Sequence, residues 1–219
     1  KIINEMIPIL LSVTAQNILI IETGSIKGEN NLHYQEFIKK NQSDIQFLGI
    51  HPLFRPDLPI AGNNIICVEY STGDICDEFI TYLKKEDANI VYLDTVRHDE
   101  CVVLTQTSTH AILFVFGLLM KKMGYLDTIP SKHVWPVTHK LLLNPLMRIL
   151  SGNAKVYQEI QFIPSNSNKI RSLLIDTANE FLDHYKDESN FENLFLVLQT
   201  YFNPLLNTIL NEAPDGKNT

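Results

Sequence analysis

Residues 45–57 read IQFLGIHPLFRPD, an apolar run of strand length that ends in a histidine and prolines. Because proline removes a donor from a β-ladder, the segment from His51 to Ala61, with three prolines, is predicted to be a loop. A helical pattern, Ile2–Thr14, and a first apolar run, NILII at Asn17–Ile21, come earlier in the chain. A polar, helical segment, Asn30–Asn41, lies between the two runs. Two strands joined by a helix predict a parallel α/β unit.

The same alternation continues as far as residue 94. Strands are predicted at Asn64–Tyr70 and Asn89–Leu93, on either side of a helix, Asp74–Lys84, for which Asp74 is the candidate N-cap. A favoured position for a ligand site in such a sheet is the loop that follows the carboxyl end of a buried strand.

Beyond Asp94 every pattern is helical. A long helix is predicted over Thr95–Met123, ending at Gly124. A second helix is predicted to open at Pro130 and to be kinked or divided by Pro136 and Pro145. Three more helices are predicted at Ala154–Phe162, Asn168–Lys186 and Phe191–Glu212. Asn153 could cap the first of these three, and Ser189 and Glu192 are a possible capping box for the last. The chain is therefore predicted to divide into an α/β part, residues 1–94, and an all-helical part, residues 95–219.

Composition narrows the functional class. Of 219 residues, 45% are hydrophobic and 20% charged, which is typical of a globular protein. The net charge of -7 argues against nucleic acid or an anionic membrane as a partner. The longest apolar stretch, Ala111–Met120, is shorter than the roughly 20 residues that span a bilayer. Cys67, Cys76 and Cys101 form no CxxC pair, which favours reduced thiols and a cytoplasmic protein.

Two loops at the predicted carboxyl edge of the sheet hold candidate site residues. His51 could accept a hydroxyl proton at neutral pH, although a loop histidine is also often a surface residue. After the first strand, Ser25 and Lys27 could contact an anionic substrate or orient His51, and a plain polar turn is the alternative.

The helical part adds further candidates. His98 and Asp99 lie at the start of the long helix, where a carboxylate suits the helix dipole. His110, four residues after Gln106, is either a core histidine or a ligand-binding group. Arg148 could bind a substrate carboxylate or form a structural salt bridge. The sequence has no GxGxxG, P-loop, GxSxG or HExxH motif, and no metal site is predicted.

Five segments, in order along the chain, resemble the motifs of one enzyme family. They are GSIKGE, LGIHPLFRPD, VRHD, THAILFVFG and RILSGNAKVYQEI, spread between about Ile20 and Ile160. The corresponding text in prephenate dehydrogenases, tyrosine-pathway enzymes of the 6-phosphogluconate-dehydrogenase-like superfamily, runs SVK, LGLHPMFGPD, EHD, RHFATFAYG and a GRLFAQDPxLYxDI-like segment. The chain is thus similar to that family.

The resemblance implies a fold and an activity. Residues 1–94 would be the C-terminal half of a Rossmann-like NAD-binding domain, and residues 95–219 an all-α dimerisation and substrate domain of a cytoplasmic homodimer. The implied reaction is the oxidative decarboxylation of prephenate or arogenate, with NAD or NADP taking the hydride.

The resemblance also implies roles for individual residues. His51 would contact the 4-hydroxyl of the substrate, and Ser25 would support both that histidine and the nicotinamide. Lys27, His110 and Arg148 would bind substrate, Arg148 through a carboxylate.

Three departures from the family text limit these expectations. Arg55 stands where the family has glycine, and Lys140 where it often has an arginine. The Gly-rich half of the dinucleotide domain has no counterpart, so we expect either a fragment of a longer chain or a shortened relative that covers the edge of its first strand by dimerising. The alternative functions are a homologue that binds a prephenate-like carboxylate without catalysis and a purely structural dimerisation module. An amino-deoxy analogue of prephenate is a further possible substrate.

Overall fold

The computed structural model describes residues 9, 18–41, 45–71, 73–129, 131–162 and 167–212. Apart from residue 9, the predicted helix over residues 2–14 therefore lies outside the described residues. Four strands form one sheet in the order β1 (Leu19–Glu22), β2 (Gln46–Pro52), β3 (Asn64–Glu69) and β4 (Asn89–Tyr92). β1 runs parallel to β2, which confirms the predicted unit, and β3 runs parallel to β4, but β2 and β3 are antiparallel.

Both faces of the sheet are covered, which explains why its strands are continuously apolar. Helix α1 (Gly28–Asn41) contributes Tyr34 to one face, and helix α2 (Asp74–Lys85) packs on the other. Neighbouring residues of β2 and β3 alternate between the faces, as the period of a strand requires. Phe47, Ile66, Val68 and Tyr70 pack with Tyr34, while Leu48, Ile50, Ile65 and Cys67 pack with Cys76, Ile80 and Leu83. β1 forms one edge of the described sheet, as expected.

The predicted loop begins later than the sequence indicates, because β2 includes His51 and Pro52. Pro52 lies opposite Ile65 in the antiparallel pairing, whereas β1 pairs with β2 only as far as Gly49. No described strand therefore needs the missing donor of Pro52 on the β1 side. His51 is held in a strand rather than in a loop.

The long predicted helix after residue 94 is present but has an irregular turn. Helix α3 (Thr95–Val102) leads into a π-helical turn, Val103–Thr107, and then into helix α4 (Ser108–Lys122). Asp94 caps α3 by accepting a hydrogen bond from the Arg97 amide at 2.8 Å. Gly124 follows with a φ of 64°, the left-handed conformation that glycine adopts readily.

Thr95–Lys122 is also long and apolar enough to cross a membrane by length and composition. The core helix of a soluble protein passes the same test, so this finding by itself is weak evidence for a membrane protein.

Shorter helices make up the rest of the described chain: α5 (Tyr125–Thr128), a 3₁₀ turn (Lys132–Val134), α6 (Val137–Leu150), α7 (Ala154–Phe162), α8 (Ser167–His184) and α9 (Glu188–Glu212). Leu113 of α4 packs with Leu146 and Ile149 of α6. Asn153 accepts a hydrogen bond from the Lys155 amide, as its predicted capping role requires. Pro130 lies outside the described residues.

Pro136 divides the helical segment, one of the two outcomes predicted for it: it follows the 3₁₀ turn and is the N-cap residue of α6, which suits its fixed φ. Pro145 lies inside α6. Two predictions about helix ends are wrong. Asp74 is the first residue of α2, and Gly73 occupies the N-cap position without a side-chain hydrogen bond. α9 begins at Glu188, and Asp187 accepts hydrogen bonds from both the amide and the hydroxyl of Ser189.

The chain forms two compact units, Lys1–Ile170 and Arg171–Thr219. The first contains the sheet and all the predicted site residues. The division predicted near residue 94, where α/β structure gives way to helices, remains a prediction about domains.

Candidate active site

A chain of hydrogen-bonding side chains runs through the interior next to the end of β2. His51 is buried, with 6% of its surface exposed, and its Nδ1 lies 3.0 Å from Nε2 of His98. On the other side of the ring, Nε2 of His51 lies 3.3 Å from Nε2 of Gln106, which belongs to the π-helical turn. π-helical turns are often found at functional sites, and this one places an amide beside the imidazole.

Asp99 anchors this chain at its far end. Its Oδ1 lies 2.8 Å from Nδ1 of His98, whose side chain is fully buried. The carboxylate also accepts the backbone amides of Lys27 at 2.9 Å and Gly28 at 2.8 Å, at the beginning of α1. A carboxylate at a helix N-terminus satisfies amides that have no partner within the helix. Asp99 therefore links α3, α1 and the loop after β1.

The protons can be assigned from this network. Burial raises the pKa of Asp99, but its hydrogen bonds from His98, Lys27 and Gly28 outweigh burial and leave it below the usual value, so the carboxylate is ionised and can only accept. Nδ1 of His98 then carries a proton, and when His98 carries no second proton its Nε2 accepts from Nδ1 of His51. The lone pair of His51 is thus on Nε2.

Burial keeps His51 neutral. It lowers the pKa of His51 from 6.5 to about 4, with the nearby His98 and Lys27 acting in the same direction and Asp99 against them. At neutral pH His51 therefore offers an unprotonated Nε2. The 3.3 Å contact from Gln106 is long for a hydrogen bond, so a substrate hydroxyl could replace it.

Lys27 is fully buried, and its ammonium has partners within the protein. Nζ donates to Oε1 of Glu22 at 2.5 Å and to the carbonyl of Ile50 at 2.8 Å. Glu22 also accepts from the hydroxyl of Tyr70 and the amide of Gly24, each at 2.7 Å. Burial lowers the pKa of Lys27, while Glu22 opposes this change. The predicted contact of Lys27 with substrate remains a prediction.

Ser25 lies in a bend after β1 and is partly buried. Among the described residues its hydroxyl has no hydrogen-bond partner, and the partners of His51 are His98 and Gln106. The predicted support of His51 by Ser25 therefore remains a prediction, and the hydroxyl is uncommitted.

His110 and Arg148 form a second group, on α4 and α6. The ring of His110 lies edge-on to Tyr157, 5.3 Å between centroids, and its buried Nδ1 has no partner in the described residues. Burial lowers the pKa of His110, and the charge of Arg148 adds to this effect. Arg148 is exposed, and no carboxylate within the described chain forms a salt bridge with it. The imidazole of His110 and the guanidinium of Arg148 therefore lie close enough for their charges to interact, and both have hydrogen-bonding groups without a partner in the described residues.

His98 and Asp99 were candidates only because they lie at a helix start, and nothing in the sequence connected them with His51. β3 and β4 run opposite to β2, so the rule that strand ends meet at one edge does not bring residues after β4 to His51. The course of α3 brings them there. The VRHD segment, at a helix start directly after a strand, is the signal that could have indicated them.

The described residues form no evident binding site for a metal ion or for the phosphates of a dinucleotide. They contain no group of three His, Cys, Asp or Glu side chains that could hold a metal ion. The first amides of α1 are occupied by Asp99, and the first turn of α2 carries Asp74 and Asp77, which repel an anion. The free hydroxyl of Ser25 fits a nicotinamide contact, but the described residues offer no phosphate-binding turn.

Comparisons with known proteins agree on one family. No protein-family model matches the chain. It is 26% identical over 157 residues to a 4-amino-4-deoxyprephenate dehydrogenase of Streptomyces pristinaespiralis, covering 72% of this chain and 51% of that protein. It is 21% identical over 174 residues to a probable arogenate/prephenate dehydrogenase of Methanocaldococcus jannaschii, covering 78% and 38%. The chain thus spans about half the length, or less, of these curated relatives.

Solved structures show the same fold. A prephenate dehydrogenase from A. aeolicus, in complex with hydroxyphenyl propionate and NAD+, matches 91% of this chain and 71% of its own with a TM-score of 0.64 and 16% identity. An arogenate dehydrogenase from Synechocystis matches 95% and 74% with a TM-score of 0.58 and 12% identity. The predicted class, a partial Rossmann-like α/β domain followed by a helical region, is confirmed. This chain is thus similar in sequence to curated prephenate and arogenate dehydrogenases, and in fold to solved structures of both.

Proposed function

We propose that this chain provides the substrate-binding and proton-accepting part of an oxidoreductase that oxidatively decarboxylates prephenate or arogenate. The products would be 4-hydroxyphenylpyruvate or tyrosine, and NAD or NADP would be the cofactor. The observation that supports this proposal best is a buried, neutral His51 whose unprotonated Nε2 has only a long contact, from Gln106, within the described residues.

His51 would act on the 4-hydroxyl of the substrate. A nicotinamide, when bound, accepts the hydride from C4. Nε2 of His51 would take the hydroxyl proton as the oxygen becomes a carbonyl, and would return it to the same oxygen when carbon dioxide departs and the ring becomes aromatic. A general base of this kind contributes about 100-fold or more to a rate. The contact that the hydroxyl would replace is the long one from Gln106.

Arg148 and His110 would hold the substrate carboxylate. A guanidinium binds a carboxylate through two parallel hydrogen bonds, and Arg148 is exposed without a salt bridge in the described residues. The unpartnered Nδ1 of His110 beside it supports the same role. Ser25 would contact the nicotinamide. Lys27 would contact substrate or, because it is buried, would hold His51 in position through its hydrogen bond to the carbonyl of Ile50.

The helical part would form a homodimer in the cytoplasm. Ile112, Leu118 and Leu141 are each about half exposed or more, and a cavity of about 760 Å³ between α4 and α6 is lined mainly by apolar side chains. An exposed apolar surface of this kind is typical of an interface. All three cysteines are free, in agreement with a reducing compartment.

Enzyme assays test this proposal. Purified full-length protein should produce NADH or NADPH from prephenate or arogenate, and His51→Asn should reduce its kcat by about 100-fold or more. His133→Asn, at an exposed histidine, is the control and should leave the rate unchanged. Because one relative is a 4-amino-4-deoxyprephenate dehydrogenase, this analogue belongs in the substrate panel. If none of the three compounds is turned over, the proposal is wrong.

A second candidate is a homologue that binds the carboxylate substrate without catalysis. It is favoured by the occupied amides of α1 and the absence of a phosphate-binding turn in the described residues. Calorimetry separates the two candidates. Binding of prephenate together with NAD or NADP supports the enzyme, whereas binding of prephenate without either cofactor supports the second candidate.

A further inference from the structure

We propose that His98 is a positioning residue that fixes the tautomer of His51, and that Asp99 fixes His98 in turn. This inference rests on the proposed function, in which His51 is the proton acceptor. It assigns to the VRHD segment a role in preparing Nε2 of His51 for the substrate hydroxyl.

The contact between the two imidazoles is direct and buried. Their ring centroids lie 5.1 Å apart, with an angle of 54° between the planes, and Nδ1 of His51 lies 3.0 Å from Nε2 of His98. Among the described residues, His98 is the hydrogen-bond partner of that nitrogen. The proton of His51 therefore stays on Nδ1 only while His98 presents an acceptor.

Asp99 decides whether His98 presents one. An ionised carboxylate can only accept, so it requires a proton on Nδ1 of His98 and leaves Nε2 of neutral His98 free to accept. Two backbone amides hold the carboxylate in place, those of Lys27 and Gly28. The same logic explains why an aspartate beside a catalytic histidine in serine proteases cannot be replaced by asparagine without a large loss of rate.

The charges around His51 are few. α3 contributes His98 and Asp99, and the loop after β1 contributes Lys27, while Gln106 of the π-helical turn is uncharged. His98 and Asp99 are therefore the titratable residues of the hydrogen-bonded series that ends at His51. Lys27 affects His51 only through its charge.

Four variants test the proposal. Asp99→Asn removes the charge that holds the proton on Nδ1 of His98. When the new amide group replaces Oδ1, which now faces both His98 and the Lys27 amide, it donates to His98, reverses the direction of the chain and moves the proton of His51 to Nε2. His98→Leu removes the acceptor. His98→Gln keeps an oxygen that can accept from His51, and is the rescue variant. His133→Asn is the surface control.

The first readout needs no activity. Nitrogen-15 NMR of histidine-labelled protein distinguishes the two neutral tautomers. His51 should carry its proton on Nδ1 in the wild type and in His98→Gln, and on Nε2 in Asp99→Asn. In His98→Leu the two neutral tautomers of His51 should both be populated. An unchanged tautomer in both Asp99→Asn and His98→Leu overturns the proposal, and folding of each variant is checked by circular dichroism.

The second readout is kinetic. kcat for prephenate should fall by about 100-fold in Asp99→Asn and His98→Leu, with KM changed less than about threefold, and by much less in His98→Gln. An unchanged kcat in His98→Leu also overturns the proposal. If the tautomers change as stated but the wild type turns over no substrate, the proposed function fails and the assignment of the positioning pair stands.

Discussion

The ammonium nitrogen of Lys27 lies 2.8 Å from the carbonyl oxygen of Ile50, the residue that precedes His51 in β2. This contact ties the loop after β1 to the end of the neighbouring strand. Because Nζ also pairs with Glu22 at the end of β1, the loop geometry and the position of His51 depend on one another. The buried ion pair of Lys27 and Glu22 therefore helps to hold His51, the candidate base, in position.

Removing the charge of Lys27 should destabilise the protein strongly. Lys27→Met leaves the carboxylate of Glu22 buried without its cation, which costs about 3–5 kcal/mol of the free energy of unfolding. The double variant Lys27→Met/Glu22→Gln should recover part of this loss, since it removes both charges. Urea unfolding measures both values.

Lys132→Met, at an exposed lysine, is the control for Lys27 and should change the free energy of unfolding by less than about 0.5 kcal/mol. A cost below about 1 kcal/mol for Lys27→Met would show that the buried pair contributes little to the fold.

The buried His51 should make stability fall as the pH is lowered. Its pKa is about 4 in the folded protein and about 6.5 in the unfolded chain, so between these values the unfolded state binds more protons. Stability due to this group is fully present above about pH 6.5, decreases as the pH falls towards 4, and has a maximum size of roughly 3 kcal/mol. Urea unfolding at several pH values measures it.

The difference between wild type and His51→Asn isolates the group from the carboxylates, which titrate in a similar range. This difference should decrease between pH 7 and pH 4. If the two proteins lose stability in parallel over that range, His51 is not the group responsible.

The strands and helices could be predicted from the sequence because burial on both faces gives apolar runs, and helix ends carry local signals such as Gly124. The site could be predicted only in part. His51 and Lys27 were identified because each lies shortly after the end of a strand predicted from the sequence. The contact between His51 and His98 depends on the course of α3 after the sheet, which no local pattern encodes. The π-helical turn that places Gln106 was missed because its i→i+5 hydrogen bonds differ by only one residue from the i→i+4 bonds of an α-helix.

Gly28 is expected to be required for the placement of Asp99. A Cβ at this position would lie 2.7 Å from Oδ2 of Asp99, closer than the two atoms can approach. Gly28→Ala should therefore destabilise the protein, although a change from glycine to alanine within a helix normally stabilises it by roughly 0.5–1 kcal/mol. Thermal unfolding measures the change.

The Asp99→Ala background supplies the control for Gly28. Without the carboxylate the steric conflict disappears, so Gly28→Ala should become neutral or stabilising there. If Gly28→Ala has the same effect in both backgrounds, Asp99 does not explain the glycine.

Arg55, which replaces the glycine of the family motif, should act on substrate binding through Asp57. Nε of Arg55 donates to Oδ1 of Asp57 at 2.8 Å. This hydrogen bond lowers the pKa of Asp57, and Arg148 acts on Asp57 in the same direction from a greater distance. If Arg148 binds the substrate carboxylate, Asp57 competes for the same guanidinium, and Arg55 reduces that competition by neutralising Asp57.

Arg55→Gly should then raise KM for prephenate by about threefold with kcat unchanged. The effect is small because all three side chains are exposed to solvent. Asp57→Asn should lower KM by a similar factor, and in that background Arg55→Gly should have no effect. Steady-state kinetics at low ionic strength measure these changes. A fall in KM for Arg55→Gly would mean instead that the arginine itself obstructs the pocket.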